Sequence, residues 1–205
     1  MLFVFRHGES LTNVELDKTC KYDLNDDNIV LTQKGVIHAL EVANELKTTG
    51  ILPDKIITSP LARARQTSYL LASTLEHGCP IEVVNDFHEI IWHNEDGYFF
   101  RHEDVRDINI DHYFENVDAR LAPNLENQRD VFIRVSRHLP KIIEEAMSKP
   151  IYLVAHYFVV RAIQAYLDIG RAEAMANYDP QNVDPIVYSP HALEEAMMRL
   201  VSKAS

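Results

Sequence analysis

Apolar positions along this chain follow two periods, and the switching between them lays out the expected elements. Leu2, Phe3, Val4 and Phe5 form an unbroken apolar run of aromatic and β-branched types, the mark of a short strand buried on both faces. Residues 17–28 are polar and read as a loop. Beyond them Val36, Leu40, Ala43 and Leu46 recur at helical spacing, with Thr32 placed as N-cap and Gly50 as stop. A second strand is expected over 54–58. It ends in Ser59-Pro60, which reads as an N-cap followed by proline at the first helical position. The helix that follows is expected over 61–75, with Arg63 in its first turn. A third strand over 81–84 leads to Phe87-His88-Glu89.

Periodicity fails between 90 and 128, where Trp92, Tyr98, Phe99 and Phe100 mix with His93, His102 and His112. This stretch is expected to be a cap or lid of loops and short helices, inserted in a single domain spanning 1–205. Helical spacing returns through Val131, Val135, Leu139, Ile142, Ile143 and Met147, with a kink expected at Pro140. Ile151-Tyr152-Leu153-Val154-Ala155 is the cleanest strand after the first, and it ends in His156. A helix over 159–167, a last strand within 182–188 and a closing helix over 190–203 complete the chain. Strands alternating with helices imply parallel pairing, hence a three-layer α/β/α sandwich on a mostly parallel sheet.

Composition narrows the function. With 46% hydrophobic and 25% charged residues among 205, the chain is an ordinary globular one, long enough to bury a sizeable core. Its 20 Lys and Arg against 31 Asp and Glu give a net charge of −11. No basic run interrupts that acidity, so a long nucleic-acid footprint is excluded. A small anionic substrate fits, provided the cations gather in one pocket. Cys20 and Cys79 show neither metal-ligand spacing nor a disulfide framework. No apolar run reaches membrane-spanning length, and with the first strand starting at Leu2 no signal peptide is expected. A cytoplasmic enzyme is the expectation.

The first strand delivers Arg6, His7 and Gly8 at its C-terminal end, where open α/β sheets bind their ligands. Gly8 permits a tight turn or a close approach to a ligand. A second strand ends in His156, and a third runs into the helix carrying Arg63. A helix start is itself an anion site. Two arginines, two imidazoles and a helix end at one sheet edge would make an electropositive pocket suited to a phosphoryl group, whose oxygens need several fixed donors.

These stretches, in order, resemble the histidine phosphatase superfamily in its phosphoglycerate-mutase-like branch. Arg6-His7-Gly8-Glu9-Ser10 with Asn13 is similar to its first signature, and Leu31-Thr32-Gln33-Lys34-Gly35 to its next block. Thr58-Ser59-Pro60-Leu61-Ala62-Arg63-Ala64-Arg65-Gln66-Thr67 resembles a third, Glu89 stands where the family places its acidic residue, and Val154-Ala155-His156 corresponds to its second histidine. The resemblance implies that His7 attacks phosphorus to form a phosphohistidine. It implies that Arg6, Arg63, His156 and Asn13 hold phosphoryl oxygens, and that Glu89 donates and later recovers a proton. It also implies that neither metal nor cofactor takes part and that the partner is a small phosphorylated molecule.

The departures matter equally. Where the family usually has glycine after its second histidine, Tyr157 stands here, followed by Phe158. Its side chain must point away, narrow the pocket or stack on a substrate. Arg161 is expected at the surface or as a lid partner. The family's glycine-rich stretch after its acidic residue is reduced to Gly97 in Asn94-Glu95-Asp96-Gly97, which makes Glu95 and Asp96 rivals of Glu89. The histidines from His88 to His112 form no His-x3-His pair on a helix, so a hydrated lid is preferred there over a metal site. His38, His77 and His138 are expected on helix surfaces. Three functional readings follow: a metal-independent phosphatase of small phosphomonoesters, which is favoured, a phosphoglycerate mutase, or a binding or scaffold protein with weak activity. Against the mutase stands Cys20-Lys21-Tyr22-Asp23-Leu24, which lacks the Gly-Trp pair usual in mutases. Against the scaffold stand His7, Arg6, Arg63 and His156, all present.

Overall fold

A computed structural model describes residues 1–15, 28–76, 78–91, 110–121 and 125–204. In chain order the elements are β1 (Leu2–Arg6), α1 (Leu11–Glu15), α2 (Gln33–Thr49), β2 (Lys55–Thr58), α3 (Ala62–Leu75) and β3 (Ile81–Val83). After a 3-10 turn at Asn85–Phe87 come α4 (Ile110–Glu115), α5 (Gln128–Ser136), α6 (Leu139–Ser148), β4 (Ile151–Ala155) and α7 (Tyr157–Asp168). A second 3-10 turn at Ala172–Asn177 precedes β5 (Ile186–Tyr188) and α8 (Pro190–Ala204). The strands form one five-stranded sheet in the order β3-β2-β4-β1-β5. Only β5, at the edge, runs antiparallel to its neighbour.

Side-chain alternation along the central strands divides the core in two. Leu2 and Val4 of β1, Ile57 of β2 and Ile151, Leu153 and Ala155 of β4 join one buried cluster with residues of α5, α6, α7 and α8. Phe3, Phe5, Ile56, Tyr152 and Val154 point the other way, into a cluster with Ala39, Val42, Ala43 and Leu46 of α2 and Leu71 and Leu75 of α3. Both faces of these strands are therefore covered, which is why they read as unbroken apolar runs. The expected α/β/α sandwich is the fold.

Helix α2 starts and stops as expected: Thr32 accepts the Gly35 N–H at 3.0 Å, and Gly50 closes the helix at φ 70°. Three elements differ from the sequence reading. Helix α3 begins at Ala62 with Leu61 as its N-cap, not at Ser59-Pro60. The Ser59 N–H still bonds the sheet at Val154 O (3.1 Å), and its hydroxyl is taken by His156. The 130–147 run is two helices, not one kinked helix, broken at Arg137-His138. Pro140 falls in the first turn of α6, where its missing N–H leaves no helical bond unmade. The last strand covers only Ile186–Tyr188, because Asn182 and Val183 turn to bond β1 instead.

Of the stretch read as a cap, 90–128, the described part packs on the body. Tyr113 and Val117 are buried in the larger cluster, and the Phe114 ring stacks on Phe158 at 5.7 Å. The polar 17–28 loop lies almost wholly outside the described residues, as do Cys20, His77 and Gly97 with its rival carboxylates Glu95 and Asp96. Among the described residues no helix is long and apolar enough to cross a membrane.

Gly8 and Gly35 are fixed by space. Neither has a positive φ, so a left-handed backbone is not what selects glycine at either position. A Cβ on Gly8 would sit 2.8 Å from the carbonyl oxygen of Gly35, and one on Gly35 would sit 2.0 Å from that of Glu9. The loop after β1 thus lies directly on the start of α2, tied there by Thr32 and Lys34 to the Glu9 carboxylate, both at 2.8 Å. Gly35→Ala is expected to destabilise the fold by about 1–3 kcal/mol through this backbone clash. Thermal unfolding checks it, and an unchanged melting temperature would refute the clash.

Candidate active site

The parallel register pairs Arg6 with Ala155, so the residues just beyond, His7 and His156, leave the same sheet edge side by side. Their rings meet edge to face with centroids 5.0 Å apart. The His7 N–H bonds Ala155 O at 2.9 Å, carrying the ladder one residue past the strand.

Hydrogen bonding fixes the tautomer of His7. Nδ1 lies 2.7 Å from Gly8 O, a carbonyl that only accepts, so Nδ1 carries the proton. Nε2 receives the Arg63 Nε–H at 3.2 Å, so it holds a bare lone pair. Burial, then the charges of Arg63 and Arg6, keep the imidazole well below its ordinary pKa and hence neutral. Arg63 is itself almost fully buried, at 1% exposure. The first turn of α3 presents it, and Thr67 braces that turn by accepting from Gly8 N (3.0 Å) and donating to Arg63 O (2.9 Å).

His156 ends β4 and caps α7. Its Nε2 stands 2.6 Å from the Ser59 hydroxyl, while its buried Nδ1 has no hydrogen-bond partner among the described residues. Burial, followed by the Arg63 charge, depresses this imidazole too. Ser59 also accepts the Leu61 N–H at 3.2 Å. The sequence reading spent Ser59 on a helix cap; its place in the block around Arg63 was the available signal for a role beside the histidine.

Glu89 is buried at 5% exposure. Its Oε1 accepts N–H groups from Ile90 (2.9 Å) and from Phe158 in the first turn of α7 (3.3 Å). Burial raises its pKa, outweighing the Ile90 bond and the charges of Arg63, Arg6 and Arg134 that pull it down. Arg134, which sequence reasoning missed, holds this loop. It donates to the backbone oxygens of Asp86 and Glu89 and pairs with Glu126 at 2.7 Å. Glu126 in turn accepts the Ile91 N–H at 2.9 Å. Nothing beyond helical spacing marked Arg134. His138, read as a surface residue, is half-buried and bonds Asp86 at 2.7 Å. His38 is half-buried as well, near Asp184 at 3.8 Å.

Arg6 is held differently. Its Nη1 donates to Pro180 O at 3.2 Å, and its guanidinium lies over the Tyr157 ring, 5.0 Å from the centroid. Tyr157 therefore leans against Arg6, with its hydroxyl donating to Asp179 at 3.2 Å. Arg161 is not at the surface. It is buried, bonded to Met175 O (2.7 Å) and to Phe114 O of α4 (3.4 Å), so its expected link to the cap stretch is there. Asn13 lies in α1. Its Oδ1 accepts from Ser10 N at 2.9 Å, and no hydrogen bond joins it to His7, Arg63 or His156 among the described residues. Also among the described residues, no group of three or more metal-type side chains converges.

A parallel sheet whose two central strands hand neighbouring histidines to one edge, beside a buried arginine and a buried carboxyl, defines a recognisable class of α/β protein. The profile of the histidine phosphatase superfamily (branch 1) matches residues 2–197, and the chain belongs to that family. It is 24% identical over 216 residues to the 2,3-bisphosphoglycerate-dependent phosphoglycerate mutase of Staphylococcus saprophyticus, covering 91% of this chain and 92% of that one. It is 27% identical over 168 residues to the "uncharacterized phosphatase PhoE" of Bacillus subtilis, covering 82% and 77%. The mycobacterial glucosyl-3-phosphoglycerate phosphatase shares the fold at a TM-score of 0.72 and 20% identity, over 90% of this chain and 87% of that one.

Proposed function

We propose that this chain is a metal-independent phosphatase of small phosphomonoesters that works through a phosphohistidine at His7. The observation that carries the reading is the state of His7: neutral, with Nε2 unprotonated and fixed, against a buried arginine. That is an imidazole prepared as a nucleophile. Nε2 attacks phosphorus in line as the P–O bond to the leaving group breaks. Arg63 passes from Nε2 to the phosphoryl oxygens, joined by Arg6, by the His156 Nδ1–H and by the Asn13 amide. With Ser59 donating its hydroxyl to Nε2, the His156 proton sits on Nδ1, the atom left without a partner. Glu89, whose burial favours the protonated carboxyl, gives its proton to the departing oxygen. It then takes one from the water that attacks phosphohistidine, which releases phosphate and restores the acid.

The test is phosphate release from p-nitrophenyl phosphate in excess chelator, with trapping of radiolabelled phosphoryl groups on the protein. Turnover that survives the chelator, with an acid-labile, alkali-stable label, is expected. If folded protein shows neither, and inorganic phosphate leaves its melting temperature unchanged, the binding or scaffold reading replaces this one. The mutase reading draws on the name of the S. saprophyticus relative. Incubation with 3-phosphoglycerate and 2,3-bisphosphoglycerate decides it, and isomerisation outpacing phosphate release would favour the mutase.

A further inference from the structure

Arg6 is an unusual cation for a half-buried site. Among the described residues no carboxylate pairs with it, and its buried Nε has no hydrogen-bond partner. What holds it is the Pro180 carbonyl and the face of Tyr157. A carboxylate would position the guanidinium but cancel its charge, whereas an aromatic face attracts it and leaves the charge available to an anion. Tyr157 is fixed in turn. Its hydroxyl donates to Asp179, and a second guanidinium, Arg161, lies over the same ring at 5.3 Å.

The stretch after Tyr178 locks onto β1 independently. Asn182 Nδ2 donates to His7 O at 2.6 Å, and Val183 N donates to Arg6 O at 2.8 Å. Val183 is fully buried and held at φ 63°, a conformation that a β-branched residue adopts only where its surroundings over-determine it. Residues 179–183 thus form a strap in which the Asp179 carboxylate, the Pro180 carbonyl, the Asn182 amide and the Val183 N–H serve Tyr157, Arg6 and His7.

We infer that Tyr157 is a positioning residue for the phosphate clamp: its ring, fixed by Asp179, holds the Arg6 guanidinium in its binding orientation before any ligand arrives. The inference rests on the reading of Arg6 as a phosphate ligand. Tyr157 would occupy the place of the family's usual glycine because this chain steadies Arg6 with a ring.

The experiment uses the full chain as wild type, Tyr157→Leu, Tyr157→Phe, Arg6→Ala and the Arg6→Ala/Tyr157→Leu pair, each checked by thermal unfolding. Leucine keeps bulk without a π face; phenylalanine keeps the face without the hydroxyl. Inorganic phosphate is titrated into each, and KM and kcat are read with p-nitrophenyl phosphate. Order of the Arg6 Nε–Hε is read by relaxation of the 15N-labelled side chain in the free protein. Tyr157→Leu is expected to weaken phosphate binding and raise KM about tenfold with kcat nearly kept. Tyr157→Phe stays within about threefold. Adding Tyr157→Leu to Arg6→Ala has no further effect, because the two act as one unit. Additive losses, or an Arg6 signal equally rigid in wild type and Tyr157→Leu, would overturn the inference. If wild type fails to bind phosphate while Arg6 still loosens in Tyr157→Leu, positioning stands and the phosphate reading falls.

Discussion

His7→Ala is expected to eliminate phosphate release, a loss of about four orders of magnitude or more in kcat. No other described side chain combines a bare nitrogen lone pair, burial and contact with a buried arginine. The His156 Nε2 faces the Ser59 hydroxyl at 2.6 Å rather than a guanidinium. The variant also has a signature in stability. Both buried histidines have depressed pKa values, so below about 6.5 the unfolded chain binds protons that the folded one refuses. The stability they support is present above that pH and lost as pH falls from there towards their folded values. Alanine at position 7 removes one of the two contributions, so the acid limb of the unfolding curve should flatten. Residual turnover within tenfold of wild type would refute the nucleophile assignment.

Glu89→Gln is the second large effect. A missing general acid should cost about 10²–10⁴ in kcat for an alkyl phosphate, and far less for an aryl phosphate whose leaving oxygen needs no proton. The wild-type rate should decline as pH rises through the elevated pKa of Glu89, and decline again as pH drops through the depressed one of His7, giving a bell. Stability should move the opposite way. Above 4.5 the unfolded carboxyl releases its proton while the buried one retains it, so wild-type stability falls with rising pH until Glu89 ionises in the fold. Glutamine accepts the same Ile90 and Phe158 N–H bonds with no charge to bury. At neutral pH the variant should therefore melt higher than wild type while working worse. Lower stability, or an unchanged alkyl-phosphate rate, would remove Glu89 from its proposed role.

The parts of this molecule written in local sequence were readable from it. The apolar runs at 2–5 and 151–155 are strands because both faces are covered, and Thr32 and Gly50 delimit α2 through their own side chain and backbone freedom. His7 and His156 meet because parallel pairing puts two strand ends together, which alternation of elements already implied. What local pattern could not carry was choice between competing partners. Ser59 was a sound cap by type, but its hydroxyl went to a histidine 97 positions away. Arg161 was open to a place at the surface or against the lid; carbonyls of Met175 and Phe114 and three aromatic rings surround it. Gly8 suggested a turn or ligand approach; only the meeting of two loops reveals that Gly8 and Gly35 each exclude a side chain on the other.

The placing of β1 inside the sheet, between β4 and β5, has a consequence in time. The strand that leads to Arg6 and His7 precedes every other strand of the sheet, yet its two neighbours, β4 and β5, are the last two in the chain. The Asn182 amide that secures His7 lies 175 residues later. At about 5–20 residues per second, translation leaves roughly 10–35 s between the two. During that interval Leu2, Phe3, Val4 and Phe5 have neither of their sheet partners, so a nascent chain exposes an apolar strand with two open edges. It also means that the site cannot assemble before Asn182 has followed.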